Sequence, residues 1–188
     1  MKKFSFVLIL LMVFSGVSFG QKWLAGAYYK MSFPAGSTKG FIEKTSFLGG
    51  GAEVRRFMSD YWSLGASVDY SYFKQDNAGE AGTLTRTLKA LPVMATLHFY
   101  VQNNAAYLPF AGVRVGGFLM SQTTESPEGT ITGEKWHLGF IPEVGAIFKL
   151  SPSLKLIGSF QFNYAVAEGV RQDQAYYALT LGLFWNSQ

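Results

Sequence analysis

The segment that most constrains the fold lies near the end of the sequence, at Ala175–Trp185 (AYYALTLGLFW). One alternate set of residues is large and apolar, and it consists of Tyr177, Leu179, Leu181, Leu183 and Trp185. The other set is smaller or more polar at its centre. A period of two is typical of a β-strand with one apolar face. At about 3.3 Å per residue and a tilt of about 45°, a strand of this length crosses an apolar layer about 25 Å thick. We therefore predict a membrane-spanning strand.

Seven more segments of the same kind precede this one, with turn residues between them. The eight predicted strands are Trp23–Met31, Thr45–Phe57, Trp62–Phe73, Thr87–Val101, Tyr107–Met120, Lys135–Leu150, Leu154–Tyr164 and Ala175–Trp185. In the first strand the alternation does not decide which residues share a face, because Ala and Tyr occur in both sets. Pro92 removes a backbone donor from the fourth strand and predicts a bulge or an irregularity there.

The predicted connections are alternately long and short along the chain. Polar loops rich in turn residues are predicted at Phe33–Lys44, Lys74–Arg86 and Gln122–Glu134, whereas the intervening turns are short. Long loops at one end and short turns at the other are typical of barrels that cross the outer membrane. Helical patterns do not interrupt the series, so a fold of alternating strands and helices is not expected.

Alternation alone does not decide which face of the sheet lies inside. Both a transmembrane barrel and a soluble, lipocalin-like ligand carrier have eight strands with one apolar face. The polar set of this chain is mostly Gly, Ser, Thr, Gln and Asn, whereas a soluble surface is rich in Lys and Glu. Small side chains fit the narrow interior of an eight-stranded barrel. We therefore predict an all-β fold, an eight-stranded antiparallel up-and-down transmembrane β-barrel, and keep the soluble carrier as the alternative.

Aromatic residues lie at the ends of the apolar faces and aliphatic residues lie between them. Membrane barrels carry such aromatic girdles at the two membrane–water interfaces. The predicted girdle residues are Trp62, Tyr72, Tyr164, Tyr177 and Trp185.

The charged residues in the middle of the strands all belong to the small, polar set. These residues are Glu53, Arg55, Asp69, Arg114 and Glu143. A basic residue on the lipid-facing side at the membrane midplane costs about 2–4 kcal/mol, so an interior position is expected. Counting from the loop between their strands places Arg114 and Glu143 nearly level. We hypothesise that the five residues form an ion-pair network that plugs the lumen; the alternative is that water hydrates each charge separately.

The sequence begins with the features of a secretory signal. Lys2 and Lys3 precede an apolar run at Phe4–Phe14, and small residues follow at Ser18 and Gly20. This arrangement predicts a signal peptide over residues 1–20 and a barrel domain over residues 21–188. The run is shorter than the roughly 20 residues of a transmembrane helix, although an uncleaved anchor is the alternative. Without the two lysines the chain is close to neutral, so a nucleic-acid partner is not expected.

Together these features resemble the small single-domain outer-membrane β-barrel family, which includes OmpX-like, OmpW-like and OmpA-transmembrane-like proteins. The resemblance covers Trp23–Trp185 and includes the ending LGLFW at Leu181–Trp185. It implies export to the outer membrane of a Gram-negative cell and contact with membrane lipid and lipopolysaccharide. It also implies that the barrel-assembly machinery recognises the C-terminal strand, and that the protein is a monomer.

A structural or surface-interaction role is the function we expect first, and a narrow channel or a conduit for small or hydrophobic solutes is the second. Some small barrels modify lipid A with a catalytic His, but neither His98 nor His137 has a Ser two residues later. Both histidines fall in the lumen-facing set, away from lipid. The sequence contains no cysteine and no metal-binding or phosphate-binding motif. We therefore expect neither catalysis nor a cofactor.

Overall fold

Eight antiparallel strands close into a barrel in a computed structural model, which describes residues 22–79, 82–102, 106–166 and 173–187. The strands are β1 (Trp23–Ala35), β2 (Leu48–Phe57), β3 (Trp62–Gly79), β4 (Gly82–Tyr100), β5 (Tyr107–Ser126), β6 (Gly129–Lys149), β7 (Leu154–Val166) and β8 (Gln174–Asn186). Each strand pairs with the next, and β1 pairs with β8. The predicted fold class is confirmed. The predicted signal peptide lies outside the described residues.

Two of the predicted long loops are instead continuous β-hairpins. The pairing of β3 with β4 continues to Gly79 and Gly82, and that of β5 with β6 continues to Ser126 and Gly129. The prediction of loops at Lys74–Arg86 and Gln122–Glu134 was therefore wrong. Polar residues on both faces indicate that a strand has left the membrane, but they do not end its backbone pairing. We call these extensions hairpin 3–4 and hairpin 5–6, and the end of the barrel that carries them the long-hairpin end.

The predicted loop at Phe33–Lys44 is also only partly a loop. The strand β1 continues to Ala35, opposite Ala175, and a short helix α1 (Gly36–Phe41) follows. The hydroxyl of Thr38 in α1 donates to Gln174 Oε1 at 2.9 Å and accepts from the backbone N–H of Ala175 at 3.0 Å. Because both partners belong to β8, these bonds hold α1 across the long-hairpin end. The second strand begins at Leu48 rather than at Thr45.

Pro92 interrupts the sheet without shifting it. Pairing of β3 with β4 stops after Val68 and Val93 and resumes at Ser71 and Ala90 in the same register. The predicted irregularity is therefore a local gap in pairing and not a bulge, because a bulge adds a residue to one strand. On its other side Pro92 lies opposite Phe118 of β5 in an unbroken register.

The outward-facing side of the barrel is apolar around its middle. Leu181 in the centre of β8 is 56% exposed, and Val115 of β5 and Val144 of β6 are similarly exposed. The exposed aliphatic residues of the wall include Leu64, Val68, Val93, Leu97, Val113, Val115, Val144, Leu179, Leu181 and Leu183. Such a wide exposed apolar surface is stable against lipid and not against water. No helix within the described part of the chain is long and apolar enough to cross a membrane.

The predicted girdle residues lie on this outer surface near both ends of the strands. We call the end of the barrel that carries the short turns the short-turn end. Trp62 and Trp185 lie near this end. Tyr72, Tyr164 and Tyr177 lie toward the long-hairpin end, on β3, β7 and β8. The ring of Trp62 contacts that of Phe99 on the neighbouring strand at a centroid distance of 4.9 Å. An interfacial role for the five residues remains a prediction.

The interior of the barrel contains three layers. Toward the long-hairpin end the lumen is filled by apolar side chains of Ile42, Phe73, Leu88, Ala90, Met94, Phe118, Met120, Ile141, Ala165 and Tyr176. Toward the short-turn end a second apolar cluster consists of Leu24, Tyr28, Tyr100, Phe110, Ile147, Ile157 and Phe184. Charged side chains lie between the two clusters. The sequence predicts a lumen filled by polar and charged side chains. In the structure such side chains form only the middle layer, and the layers on either side of it are apolar.

Barrel closure brings the backbones of β1 and β8 close together at two glycines. Gly182 lies opposite Tyr28, and Gly26 lies opposite Phe184. The two aromatic rings are stacked at 6.3 Å and fill the interior space that the glycines leave. A Cβ atom added at Gly182 would overlap the carbonyl oxygen of Ala27 and the Cβ of Tyr28.

The substitution Gly182→Val is therefore expected to weaken closure of the barrel by about 3 kcal/mol, at the upper end of overpacking costs. Electrophoresis of unboiled, refolded protein measures the folded fraction as urea is increased. Gly40→Val is the matched control, because a Cβ added at Gly40 meets nothing within 4 Å. Equal urea midpoints for the two variants would contradict the expected crowding at the seam between β1 and β8.

Candidate functional site: the charged layer of the lumen

The middle layer of the lumen contains three basic side chains, three carboxylates and one histidine. This charged layer consists of Lys30, Glu53, Arg55, Asp69, His98, Arg114 and Glu143, and all of them are buried. They come from the inward-facing positions of β1 to β6. All five residues in the predicted network thus lie in one region of the interior. The layer is charge-balanced when the histidine is neutral.

Arg114 is the centre of this layer. Its Nε atom donates to Glu143 Oε2 at 2.6 Å, and its Nη2 atom lies 3.1 Å from Glu53 Oε2. Its Nη1 atom donates to the hydroxyls of Tyr28 at 2.9 Å and of Ser67 at 3.0 Å. The guanidinium therefore connects strands β1, β2, β3 and β6 to its own strand β5. A planar group with five donors in fixed directions is suited to such a junction.

Arg55 forms the second part of the layer, nearer the short-turn end. It holds Glu53 with two bonds, Nε to Oε1 at 2.8 Å and Nη2 to Oε2 at 3.0 Å. Its Nη2 atom is 4.0 Å from Glu143 Oε1. The guanidinium also lies over the ring of Phe110 at 4.9 Å, so its other face is covered by the apolar cluster.

Asp69 and Lys30 form the third part. Lys30 Nζ lies 3.2 Å from Asp69 Oδ2 and donates to Asn163 Oδ1 at 3.0 Å. Tyr28 donates its hydroxyl to Asp69, and Arg114 Nη1 lies 3.8 Å from Asp69 Oδ1. Sequence reasoning missed Lys30 because the alternation of β1 did not decide which of its residues face inward. The charge itself was the available signal, since a mid-strand lysine is costly on the lipid side.

His98 lies between the carboxylates of the layer. Its Nε2 atom is 3.5 Å from Glu143 Oε2 and 3.9 Å from Glu53 Oε1. The ring packs edge-on against Phe110 at 5.3 Å. The lumen-facing position of His98 agrees with the alternation of β4, but its proximity to two glutamates could not be predicted from alternation alone.

The arrangement is suited to joining strands and not to holding a metal. Buried charges are costly unless they are paired, and here each carboxylate has at least one basic partner within 4.0 Å. Among the described residues no group of three or more His, Cys, Asp or Glu side chains is arranged to bind a metal ion. The three carboxylates already accept bonds from the basic groups.

A cavity lies in each mouth of the barrel. The cavity at the long-hairpin end has a volume of about 540 Å³ and is lined in part by Phe41, Arg86 and His137. There Arg86 Nη1 donates to the carbonyl of Phe41 at 3.2 Å, and His137 Nδ1 lies 3.3 Å from the carbonyl of Val166. The cavity at the short-turn end has a volume of about 480 Å³.

Among the comparisons with known proteins, only solved structures are similar to this chain. No family model matches the sequence, and no curated protein matches it. Among solved structures the chain is similar to Neisserial surface protein A, with 15% identity, a TM-score of 0.58 and coverage of 88% of this chain and 96% of that one. It is also similar to the outer membrane protein OprG from Pseudomonas aeruginosa, with 14% identity, a TM-score of 0.58 and coverage of 89% and 96%.

A third similar structure is Ail, the attachment invasion locus protein of Yersinia pestis. The identity is 12% and the TM-score is 0.55, with 89% of this chain and 97% of that chain covered. At such identities the likeness concerns the fold. The likeness extends over nearly the whole of both chains, so this chain has the fold of the small outer-membrane β-barrel proteins.

Proposed function

We propose that this protein is a closed outer-membrane barrel with a structural or surface-interaction role, and that it does not conduct solutes. The observation that carries the proposal is the packing of the lumen. The charged layer joins five strands through Arg114, and an apolar cluster covers it on each side. An eight-stranded barrel is only wide enough for its side chains, so this packing leaves no continuous aqueous path.

The surface-interaction part of the proposal is supported by the two long hairpins. Hairpin 3–4 and hairpin 5–6 are joined by pairing of β4 with β5 as far as Thr85 and Glu125, so they form one four-stranded sheet. In hairpin 3–4 the Thr85 hydroxyl donates to Asp76 at 2.7 Å, and this bond together with Lys74 lowers the pKa of the Asp76 carboxyl. A rigid sheet presents side chains to a partner with little loss of entropy on binding.

The partners implied by the family resemblance extend this proposal to the membrane. Lys74 and Lys89 are exposed, outward-facing residues of β3 and β4 near the long-hairpin end, and each lies close to the aromatic Tyr72 in the pairing. Ammonium groups at this height are suited to contact the phosphates of lipopolysaccharide. We further propose that β8 is the strand recognised by the barrel-assembly machinery, and that the barrel is a monomer.

Purified protein inserted into planar lipid bilayers tests the closed lumen directly. We expect no steady conductance steps at neutral pH, because the three layers block the path for ions. A folded control is essential, so the same preparation is checked for the mobility difference between boiled and unboiled samples. Reproducible steady conductance from folded, wild-type protein would contradict the proposal and support a channel.

A narrow conduit is the second candidate function, and one observation favours it. Thr96 Oγ1, both ring nitrogens of His98 and the amide of Gln161 are buried without a hydrogen-bond partner in the described structure. Buried polar atoms are normally bonded, so these groups have capacity to line a path for a small polar solute. Uptake of small solutes by vesicles that contain the protein separates this candidate from a closed barrel.

We infer no catalytic role for the two histidines. His98 is enclosed in the lumen beside Glu53 and Glu143, and its ring nitrogens make no hydrogen bond to a hydroxyl among the described residues. His137 faces the mouth cavity and contacts a backbone carbonyl. A lipid-modifying enzyme needs its nucleophile or base to reach the bilayer, and neither histidine is on the outer wall.

A further inference from the structure

The cavity at the short-turn end has a basic and an apolar wall. Its lining includes Lys22, Lys149, Lys155, Phe57 and Leu108. We call this cavity the basic vestibule. The lysines come from three different strands or their ends, because Lys22 precedes β1, Lys149 ends β6 and Lys155 lies at the start of β7. In this barrel the short-turn end is the side expected to face the periplasm.

The fold brings these ammonium groups together. Lys149 and Lys155 are directly opposite each other in the pairing of β6 with β7, and both occupy inward-facing positions. Both Lys149 and Lys22 are close enough to repel the charge of Lys155, which is itself half-buried. Like charges on opposite residues of an antiparallel pair are destabilising, so the arrangement costs free energy.

The lysines of the basic vestibule have no acidic partner in the described structure. Within residues 22–79, 82–102, 106–166 and 173–187, no ion pair within 4.0 Å involves Lys22, Lys149 or Lys155. Asp60 also lines the cavity, but its backbone carbonyl accepts from Gln102, and its carboxylate forms no ion pair with them. At the opposite mouth, by contrast, Arg86 already donates to a carbonyl.

The inner end of the basic vestibule is closed by apolar side chains. Phe57 and Leu108 pack against the apolar cluster that includes Tyr100 and Phe110. Arg55 lies over the ring of Phe110 in that cluster, and it is already paired with Glu53. The vestibule is therefore a pocket that is lined by three lysines and by apolar side chains, with an apolar cluster at its inner end.

We propose that the basic vestibule binds a phosphate-bearing molecule from the periplasmic side. The ammonium groups of Lys149 and Lys155 contact the phosphate oxygens, Lys22 adds a third donor, and Phe57 and Leu108 contact a carbon part of the ligand. Binding removes the repulsion among the lysines, which favours a multiply charged anion over a single carboxylate. The phosphate belongs either to a soluble solute or to the headgroup of an anionic phospholipid beside the barrel.

Calorimetric titration of the barrel in phosphatidylcholine nanodiscs with pyrophosphate tests the site for a soluble ligand. The variant Lys149→Gln/Lys155→Gln removes the central pair and is expected to weaken binding at least tenfold. The matched control is Lys39→Gln/Lys44→Gln, which removes two lysines between β1 and β2 and is expected to leave affinity within twofold. Binding is also expected to weaken as salt increases, since exposed charges are screened.

A second arm tests the headgroup source. The barrel is extracted from vesicles of phosphatidylcholine mixed with phosphatidylglycerol, and native mass spectrometry counts the retained anionic lipids. Loss of retained phosphatidylglycerol in Lys149→Gln/Lys155→Gln but not in the control variant supports a lipid headgroup. Saturable pyrophosphate binding that depends on the same lysines supports a soluble ligand.

The proposal is overturned when neither arm shows binding that depends on Lys149 and Lys155, or when the control variant loses as much as the test variant. All variants are first checked for heat-modifiable mobility, so a folding defect is recognised before binding is measured. These binding measurements do not depend on conductance. A conducting barrel would therefore contradict the proposed closed lumen, whereas only the binding measurements decide whether the basic vestibule binds phosphate.

Discussion

The substitution Arg114→Met is expected to destabilise the folded barrel by about 3–5 kcal/mol, the cost of removing one partner of a buried ion pair. The variant leaves Glu143, Glu53 and Asp69 without the guanidinium that lies within 3.8 Å of each of them. The methionine fills the volume but cannot neutralise carboxylates in a lumen that is closed by apolar layers. The expected result is a lower urea midpoint and a folded band that converts at a lower temperature.

The control for this prediction is Ser67→Ala, which removes one neutral acceptor of Arg114 at 3.0 Å and leaves all charges paired. Its expected cost is about 1 kcal/mol. A double-mutant cycle with Glu143→Gln then measures how much of the loss belongs to the Arg114–Glu143 pair. Unchanged heat resistance of Arg114→Met would contradict the network and support the alternative in which water hydrates each charge separately.

The substitution Leu181→Arg is expected to destabilise the membrane-inserted barrel by about 2–4 kcal/mol. Leu181 is 56% exposed on the outer wall, between the aromatic residues Tyr177 and Trp185 of the same strand. At this position an arginine must either enter the hydrocarbon or distort the bilayer around it. Refolding into lipid vesicles, followed by urea titration, measures the free energy of unfolding.

The matched control is Ile131→Arg, which introduces the same side chain near the tip of hairpin 5–6. Ile131 is 77% exposed and lies only two residues after Gly129, where β6 begins at the tip of the hairpin. The expected change there is close to zero, because water solvates the new charge. The pair of variants also tests whether the outer wall meets lipid at all, since in a barrel surrounded by water both substitutions would place arginine in water. Equal stabilities for the two variants would therefore contradict the lipid-facing assignment of the outer wall.

Much of the architecture was predictable because alternation is a local property of the chain. The period of two at Ala175–Trp185 predicted β8 to within one residue at each end. The same rule placed Arg114 and Glu143 in the lumen, since the cost of a charge in lipid depends only on which side of the strand it occupies. Strand ends at the short turns were also predictable. The strands β3 and β5 begin at Trp62 and Tyr107 as predicted, because there the turn residues directly adjoin the apolar alternation.

Strand ends at the long-hairpin end were not predictable from local composition. Outside the membrane both faces of a hairpin meet water, so Thr87 and Met120 mark the edge of the apolar region and not the ends of β4 and β5. Backbone pairing depends on the neighbouring strand, which composition does not describe. The early end predicted for β1 has the same origin, because β8 continues to pair with it as far as Ala35.

The sequence by itself therefore determined the number of strands, the side of the wall on which most charges lie and the apolar outer face of the barrel. Only the tertiary structure decided which side chains meet inside it. Pairing of β1 and β3 with the two edges of β2 places Lys30 beside Asp69, and the register of β4 and β6 on β5 brings His98 level with Glu143. Alternation gives the facing of a residue but not its height along the barrel axis, and height follows from the register of all eight strands together.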